Sequence, residues 1–350
     1  MKIAIISVSK KGFTLASVLK KKLDKDSTVI KCDIYHKNVK ENFQKTFFSY
    51  DAIIAVMASG ILIRSISPLI KSKTTDPAVL NIDDNGKFVI STLSGHLGGA
   101  NKLTHKISML IDAVPVITTS TDINNKIGID VIANDLFLSI DNKKEILHFN
   151  KAILDNKKLN LTVNPKYNYD FLINYFKNNT HETNISINYS LELSENMIHA
   201  SINNHEMILK KRNIVAGIGC RRNKSCEDIY KAFKKSISKL NIDISRVDMI
   251  ASAEIKNDEE GILNLSKYLN IPVYFVDMDK LKLFTSNDIS KSDFVKSKFG
   301  IYGVCEPAAL ITAGFNSKLI FKKTKYDGVT IAIALSEWNE RILFKNTKFN

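Results

Sequence analysis

Cysteine is scarce: four in 350 residues, Cys32, Cys220, Cys226 and Cys305, with no CxxC pair among them. Cys220 and Cys226 stand six apart and no second Cys/His pair follows at zinc-site spacing, so no metal site is expected. So few cysteines in so long a chain also argue against a disulfide framework, and they read as reduced thiols of a cytoplasmic protein. Arginine is scarce as well, with six among fifty basic residues. No Arg/Lys arm and no basic cluster interleaved with aromatics appears, which argues against nucleic acid as a partner. Long apolar runs are missing: none approaches the roughly 18 residues of a membrane helix. The apolar start Met1–Val8 is too short for a signal peptide and reads as a first strand, so no membrane partner is expected. Neither a GxGxxG fingerprint nor a Gly-Lys-Ser/Thr phosphate loop is present, which leaves a nucleotide-dependent enzyme without support.

What is present is an ordinary globular composition, 44% hydrophobic and 25% charged, carrying a net charge of +14. Two readings of that charge stand side by side. It can attract a polyanion such as a polycarboxylate small molecule. Equally, the abundance of Lys, Asn and Ile is what AT-rich coding produces. The length corresponds to two or three domains.

The first 140 residues alternate strand and helix patterns, and the run Asp51–Met57 has the strongest strand character. A strand over 28–33, a helix over 61–70 and a hairpin around the turn Asp83-Asp84-Asn85-Gly86 are also expected. This reads as an open, mostly parallel α/β domain. Residues 141–212 are rich in Asn and Lys and weak in strand signals, and form a small variable middle domain whose His181, His199 and His205 read as surface imidazoles. Residues 213–335 return to βα alternation as a second α/β domain, with Ser225 as helix cap, and 336–350 form a tail.

Four motifs are candidates for chemistry. Ser94-Gly95-His96-Leu-Gly98-Gly99-Ala-Asn101 sits at a strand-to-helix junction. Its glycines allow close approach of a ligand, its helix start offers N–H groups to an anion, and His96 can serve as general base. The alternative is a tight turn with His96 capping the helix. Ser59 and Gly60 follow a strand where α/β sheets place ligand loops, with Arg64 as a carboxylate clamp or a surface residue. Gly219 with Arg221 and Arg222 suits anion binding or a solvated turn, and Cys220 reads as a packed thiol. Glu306, one residue before Pro307, and Glu254 after a strand are either bases or caps.

Taken in order, Asp51–Arg64, Thr75-Asp76-Pro77, Leu93–Asn101, Val215–Arg222, Ser252–Lys256 and Val304–Ala309 resemble the cobalt-precorrin-5A hydrolase family over nearly the whole chain. The resemblance implies a role in anaerobic cobalamin biosynthesis. The substrate would be a cobalt-bearing macrocycle with many carboxylates. Its ring A δ-lactone is opened and acetaldehyde released, giving cobalt-precorrin-5B. It implies that cobalt arrives with the substrate, with no resident cofactor, and that contact with neighbouring pathway enzymes is transient. His96, Glu254 and Glu306 are then the expected catalytic residues. Ser59, Gly60, Arg64, Ser94, Gly95, Gly98, Gly99, Asn101, Gly219, Arg221 and Arg222 are expected to bind substrate, with N–H groups near Gly98 to Ala100 holding the oxyanion. A non-enzymatic carrier of the same macrocycle is the alternative.

Overall fold

The computed structural model describes residues 1–337 except 74, 166–168, 179–181, 294, 295, 298 and 299; His181 and residues 338–350 of the expected tail lie outside it. The chain divides into two compact units, Met1–Lys210 and Lys211–Asn350.

The amino-terminal unit opens with β1 (Lys2–Ser7), α1 (Lys10–Leu23), β2 (Lys31–His36), α2 (Val39–Thr46), β3 (Ala52–Val56), α3 (Ser59–Ile66) and β4 (Ala78–Ile82). There follow β5 (Phe88–Leu93), α4 (Ala100–Ile111) and β6 (Val114–Val116). These strands form one sheet in the order β2-β1-β3-β4-β5-β6, parallel except for the β4–β5 hairpin. The unbroken apolar runs of β1 and β3 arise because both faces of the sheet are covered. Ile3, Ile5 and Ile54 pack with α1 and α4 on one face, while Ala4, Ile6 and Ile53 pack with Phe43, Phe47, Leu62 and Ile66 on the other. β2 starts at Lys31, not at 28, because Val29 closes a turn on Asp26 and its side chain is buried there.

A second sheet follows within this unit. Its elements are α5 (Ser120–Ile123), α6 (Ile129–Asp135), β7 (Leu138–Ile140), α7 (Ile146–Leu154), β8 (Leu159–Val163), α8 (Tyr169–Asn178), β9 (Ile185–Tyr189), β10 (Met197–Ile202) and β11 (His205–Lys211). The strand order is β7-β11-β10-β8-β9. β8 and β10 bury alternate residues, as expected of strands with one wet face. Its core begins at Ile127, so the middle region starts before residue 141 and includes α6. His205 is more than a surface imidazole: its ring stacks on His148 at 4.5 Å and its Nδ1 lies 2.8 Å from Glu145 Oε2.

The carboxy-terminal unit contains β12 (Ile214–Cys220), α9 (Cys226–Ser238), β13 (Met249–Ala253), α10 (Glu260–Leu269), β14 (Val273–Val276) and α11 (Met278–Leu283). After these come α12 (Cys305–Ala313), β15 (Lys318–Lys325) and β16 (Val329–Leu335). Ser225 caps α9 by accepting from Asp228 N at 3.1 Å. β12, β13 and β14 are parallel, but β16 lies antiparallel against β12, with β15 antiparallel beyond it. The sequence patterns lead to no strand after Ala313, yet this hairpin supplies half of the sheet's pairings.

Candidate active site

The hairpin β4–β5 divides the expected site in two. β5 runs antiparallel to β4, pairing Val79 with Leu93 and Ile82 with Val89. The loop after β5 therefore sits at the end of the sheet where β4 begins, and Gly98 lies against Ala78 N. Ser59 and Gly60 follow β3 at the opposite end, where the Ser59 hydroxyl donates to Asn81 Oδ1 at 2.5 Å. Arg64 donates to Gly60 O at 3.0 Å along its own helix and is exposed. Ser59, Gly60 and Arg64 thus do not converge with residues 94–101, because an antiparallel strand turns the following loop to the other end.

The glycine loop is folded upon itself. A Cβ at Gly98 would lie 2.5 Å from Ser94 Cβ, and one at Gly95 would lie 2.7 Å from Asn101 Oδ1. Gly99, at φ 81°, caps α4 with open space around it. The N–H groups of Gly99, Ala100 and Asn101 donate to His96 O, Ser94 O and Gly95 O at 2.9, 3.2 and 3.0 Å. The expected oxyanion donors at Gly99 and Ala100 are consequently used inside the loop. Ser94 takes φ 56°, and its hydroxyl is buried without a partner among the described residues.

His96 stands between two carboxylates. Its Nδ1 lies 3.2 Å from Asp130 Oδ2 and its Nε2 lies 2.9 Å from Asp122 Oδ2, with Thr121 Oγ1 at 3.0 Å from the same nitrogen. Asn150 Nδ2 donates to Asp130 Oδ1 at 3.0 Å. On the other side Asn101 Nδ2 donates to Asp122 Oδ2 at 3.1 Å and to Thr119 Oγ1 at 3.0 Å, and Ser91 Oγ donates to Asn101 Oδ1 at 2.6 Å. The side chains of His96 and Asp130 are 11% and 5% exposed, and that of Asp122 is 37% exposed. Burial alone would depress the imidazole, but hydrogen bonds and charge from Asp122 and Asp130 outweigh it and push His96 up to about 9. Burial likewise works to raise Asp130, and the His96 imidazolium overcomes this and holds it below the usual carboxylate range. With a carboxylate oxygen facing each ring nitrogen, the geometry favours the imidazolium, which donates through both nitrogens. That removes it from the expected role of general base, since it has no lone pair to accept a proton.

A pH dependence follows. The folded pKa of His96 lies above its unfolded value, so its stabilisation is complete below about 6.5 and is lost as pH rises through about 9. Unfolding of the amino-terminal unit in denaturant is expected to become easier between pH 6.5 and 9.5, by about 2 kcal/mol, and His96→Gln should flatten that slope. A wild-type slope equal to the variant's would contradict the pairing.

The sequence motifs do not single out Thr121, Asp122, Asp130 or Asn150. Asp122 and Asp130 lie 26 and 34 residues from His96. The one local signal is the polar run Thr118–Asp122 shortly after a strand, where α/β folds place functional loops.

In the carboxy-terminal unit, Gly219, Arg221, Arg222 and Glu254 lie at the carboxyl ends of β12 and β13. The basic loop is largely neutralised from within. Arg222 pairs with Asp258 and donates to Ile255 O at 3.0 Å. Buried Glu259 accepts from Asn223 N at 2.6 Å and from Lys256 Nζ at 3.0 Å. Arg221 and Glu254 remain exposed. A Cβ at Gly219 would lie 2.7 Å from Thr330 Oγ1, so this glycine admits a neighbouring strand rather than a ligand. Burial pushes the Cys220 thiol up, as expected of a packed cysteine. Glu306 is 1% exposed; it accepts from Ser290 N at 2.6 Å, Ser290 Oγ at 3.1 Å and Lys323 N at 2.8 Å. Those bonds make Glu306 a clamp that ties residue 290 to β15, in place of the expected base. A cavity of about 420 Å³, lined by Phe284, Asp288, Phe315 and Lys318 among others, contains none of the expected residues. Among the described residues no group of three or more His, Cys, Asp or Glu is arranged to hold a metal ion, and no helix is long and apolar enough to cross a membrane.

Fold and site define a multidomain α/β protein whose glycine loop holds an imidazolium between two carboxylates. Residues 41–122 match the family model described as Cobalamin synthesis G N-terminal, and residues 214–334 match Cobalamin synthesis G C-terminus. A probable cobalt-precorrin-5A hydrolase of Methanocaldococcus jannaschii is 34% identical, over 95% of this chain and 99% of its own. The cobalt-precorrin-5A hydrolase of Priestia megaterium is 31% identical, over 83% of this chain and 79% of its own. The crystal structure of a putative cobalamin biosynthesis protein G homolog from Sulfolobus solfataricus superposes with a TM-score of 0.62 at 27% identity, covering 96% of this chain and 97% of that one. The chain belongs to the cobalt-precorrin-5A hydrolase family.

Proposed function

We propose that this protein hydrolyses cobalt-precorrin-5A, opening the ring A δ-lactone and releasing acetaldehyde to yield cobalt-precorrin-5B. The observation that carries this reading is end-to-end similarity, at 34% identity, to a relative named for that activity. The net charge of +14 supports it, because the substrate is a polycarboxylate. In this reading the cobalt belongs to the substrate and the reaction takes place in the cytoplasm, with neighbouring pathway enzymes as transient partners at most. The glycine loop carrying His96 is the proposed catalytic region. Contact with the substrate is proposed for this loop, since Ser59, Gly60 and Arg64 lie at the opposite end of the sheet. The test is anaerobic incubation of purified protein with cobalt-precorrin-5A, followed by acetaldehyde assay and mass of the macrocycle. Stoichiometric acetaldehyde with the matching mass loss is the expected result. Binding with unchanged mass would replace the hydrolase by a carrier, and absence of both would remove the macrocycle as ligand.

A further inference from the structure

Within the chain Asp130–His96–Asp122 the three members differ in access. Asp130 and His96 are enclosed, while the Asp122 side chain is 37% exposed. Asp122 Oδ2 is bonded to His96 Nε2 and Asn101 Nδ2. Among the described residues Asp122 Oδ1 has no hydrogen-bond partner, and this partly exposed carboxylate, its head fixed by two donors, is the accessible end of the chain. Asp130, on α6 and packed beside the core that begins at Ile127, is itself held by Asn150. The arrangement is a fixed, solvent-facing carboxylate backed by a buried charge pair, built from three separate segments of chain.

We infer that Asp122 is the proton-handling residue of the lactone opening, with His96 and Asp130 as positioning residues behind it; this rests on the hydrolase reading above. The Asp122 carboxylate takes a proton from water as the water oxygen bonds to the lactone carbonyl carbon. The tetrahedral intermediate then collapses, the ester carbon–oxygen bond breaks with its electron pair on the leaving alkoxide, and Asp122 returns the proton to that oxygen. The products of this step are a free acetate side chain and a secondary alcohol, with water consumed and Asp122 restored. His96 keeps the carboxylate oriented and its charge compensated. The charged groups facing His96 are Asp122 and Asp130, and those facing Asp122 are His96 with the neutral amide of Asn101.

The test uses the full chain and cobalt-precorrin-5A under anaerobic conditions. Asp122→Asn is expected to lower kcat at least about 100-fold with KM changed less than about threefold. Asp130→Asn is expected to move the alkaline limb, which His96 sets, to lower pH, and imidazole NMR of that variant should show the same displacement without any turnover. Asp122→Ser, held to the same thresholds, serves if the asparagine variant does not fold. An active wild type with both Asp122 variants within about threefold of it in kcat would overturn the inference and leave the hydrolase reading intact. A wild type that releases no acetaldehyde overturns the hydrolase reading, and the inference with it.

Discussion

Replacing His96 by alanine is expected to cut turnover of cobalt-precorrin-5A at least about 100-fold and to weaken the amino-terminal unit by about 3 kcal/mol. Both effects have one origin. The imidazolium is the hydrogen-bond partner of Asp122 on one side and of 5%-exposed Asp130 on the other. Without it, Asp130 retains Asn150 but loses its countercharge in a buried place, which is the costly half of breaking a buried pair. Asp122 loses one of the two bonds that fix its orientation, and misplacement of a reacting group costs orders of magnitude in rate. His96→Gln retains an amide donor for one carboxylate and should fall between alanine and wild type in stability. The measurements are acetaldehyde release under saturating substrate and denaturant unfolding at pH 7. An alanine variant with wild-type turnover would take His96 out of the chemistry altogether.

Gly217→Ala is expected to cost the carboxy-terminal unit at least about 3 kcal/mol, or to prevent its folding. The added Cβ would lie 1.9 Å from Cys305 O and 3.0 Å from Ala309 Cβ. The obstacle is helix backbone, so no side-chain rotation relieves it, and α12 must retreat from the centre of the sheet. Buried Ala308 and Ala309 show how close the helix lies. Gly99→Ala makes the contrast: space there is open and only φ 81° is disfavoured, at about 1 kcal/mol. Hydrogen exchange resolved by peptide would locate the loss; equal protection of residues 214–220 in the Gly217 variant and wild type would contradict the packing argument.

The α/β class and most strands are legible because buried parallel strands leave unbroken apolar runs, as at Asp51–Met57. β10 and β16 are not legible in the same way. β10 alternates in a polar, Asn-rich context, and the partner that gives β16 its place, β12, lies more than a hundred residues earlier. His96 is legible as a residue of interest because it sits among glycines. Its chemistry is not, since Asp122 and Asp130 approach from other segments and reverse its protonation. The same limit applies to Glu306, whose anchors at Ser290 and Lys323 lie 16 and 17 residues away. Arg222 reads as available for substrate in the sequence, and in the structure Asp258 holds it.

The position of β16 has a consequence for biosynthesis. β12, the first strand of its unit to leave the ribosome, pairs along all seven of its residues with β16, the last among the described residues. Until Leu335 has cleared the exit tunnel, one edge of β12 carries unpaired amides beside exposed Ile and Val side chains. The amino-terminal unit can close its sheets as its own strands emerge, since every strand partner lies at or before Lys211. The carboxy-terminal unit must wait for β16, and in that interval it is the part of the nascent chain that most needs shielding from other chains.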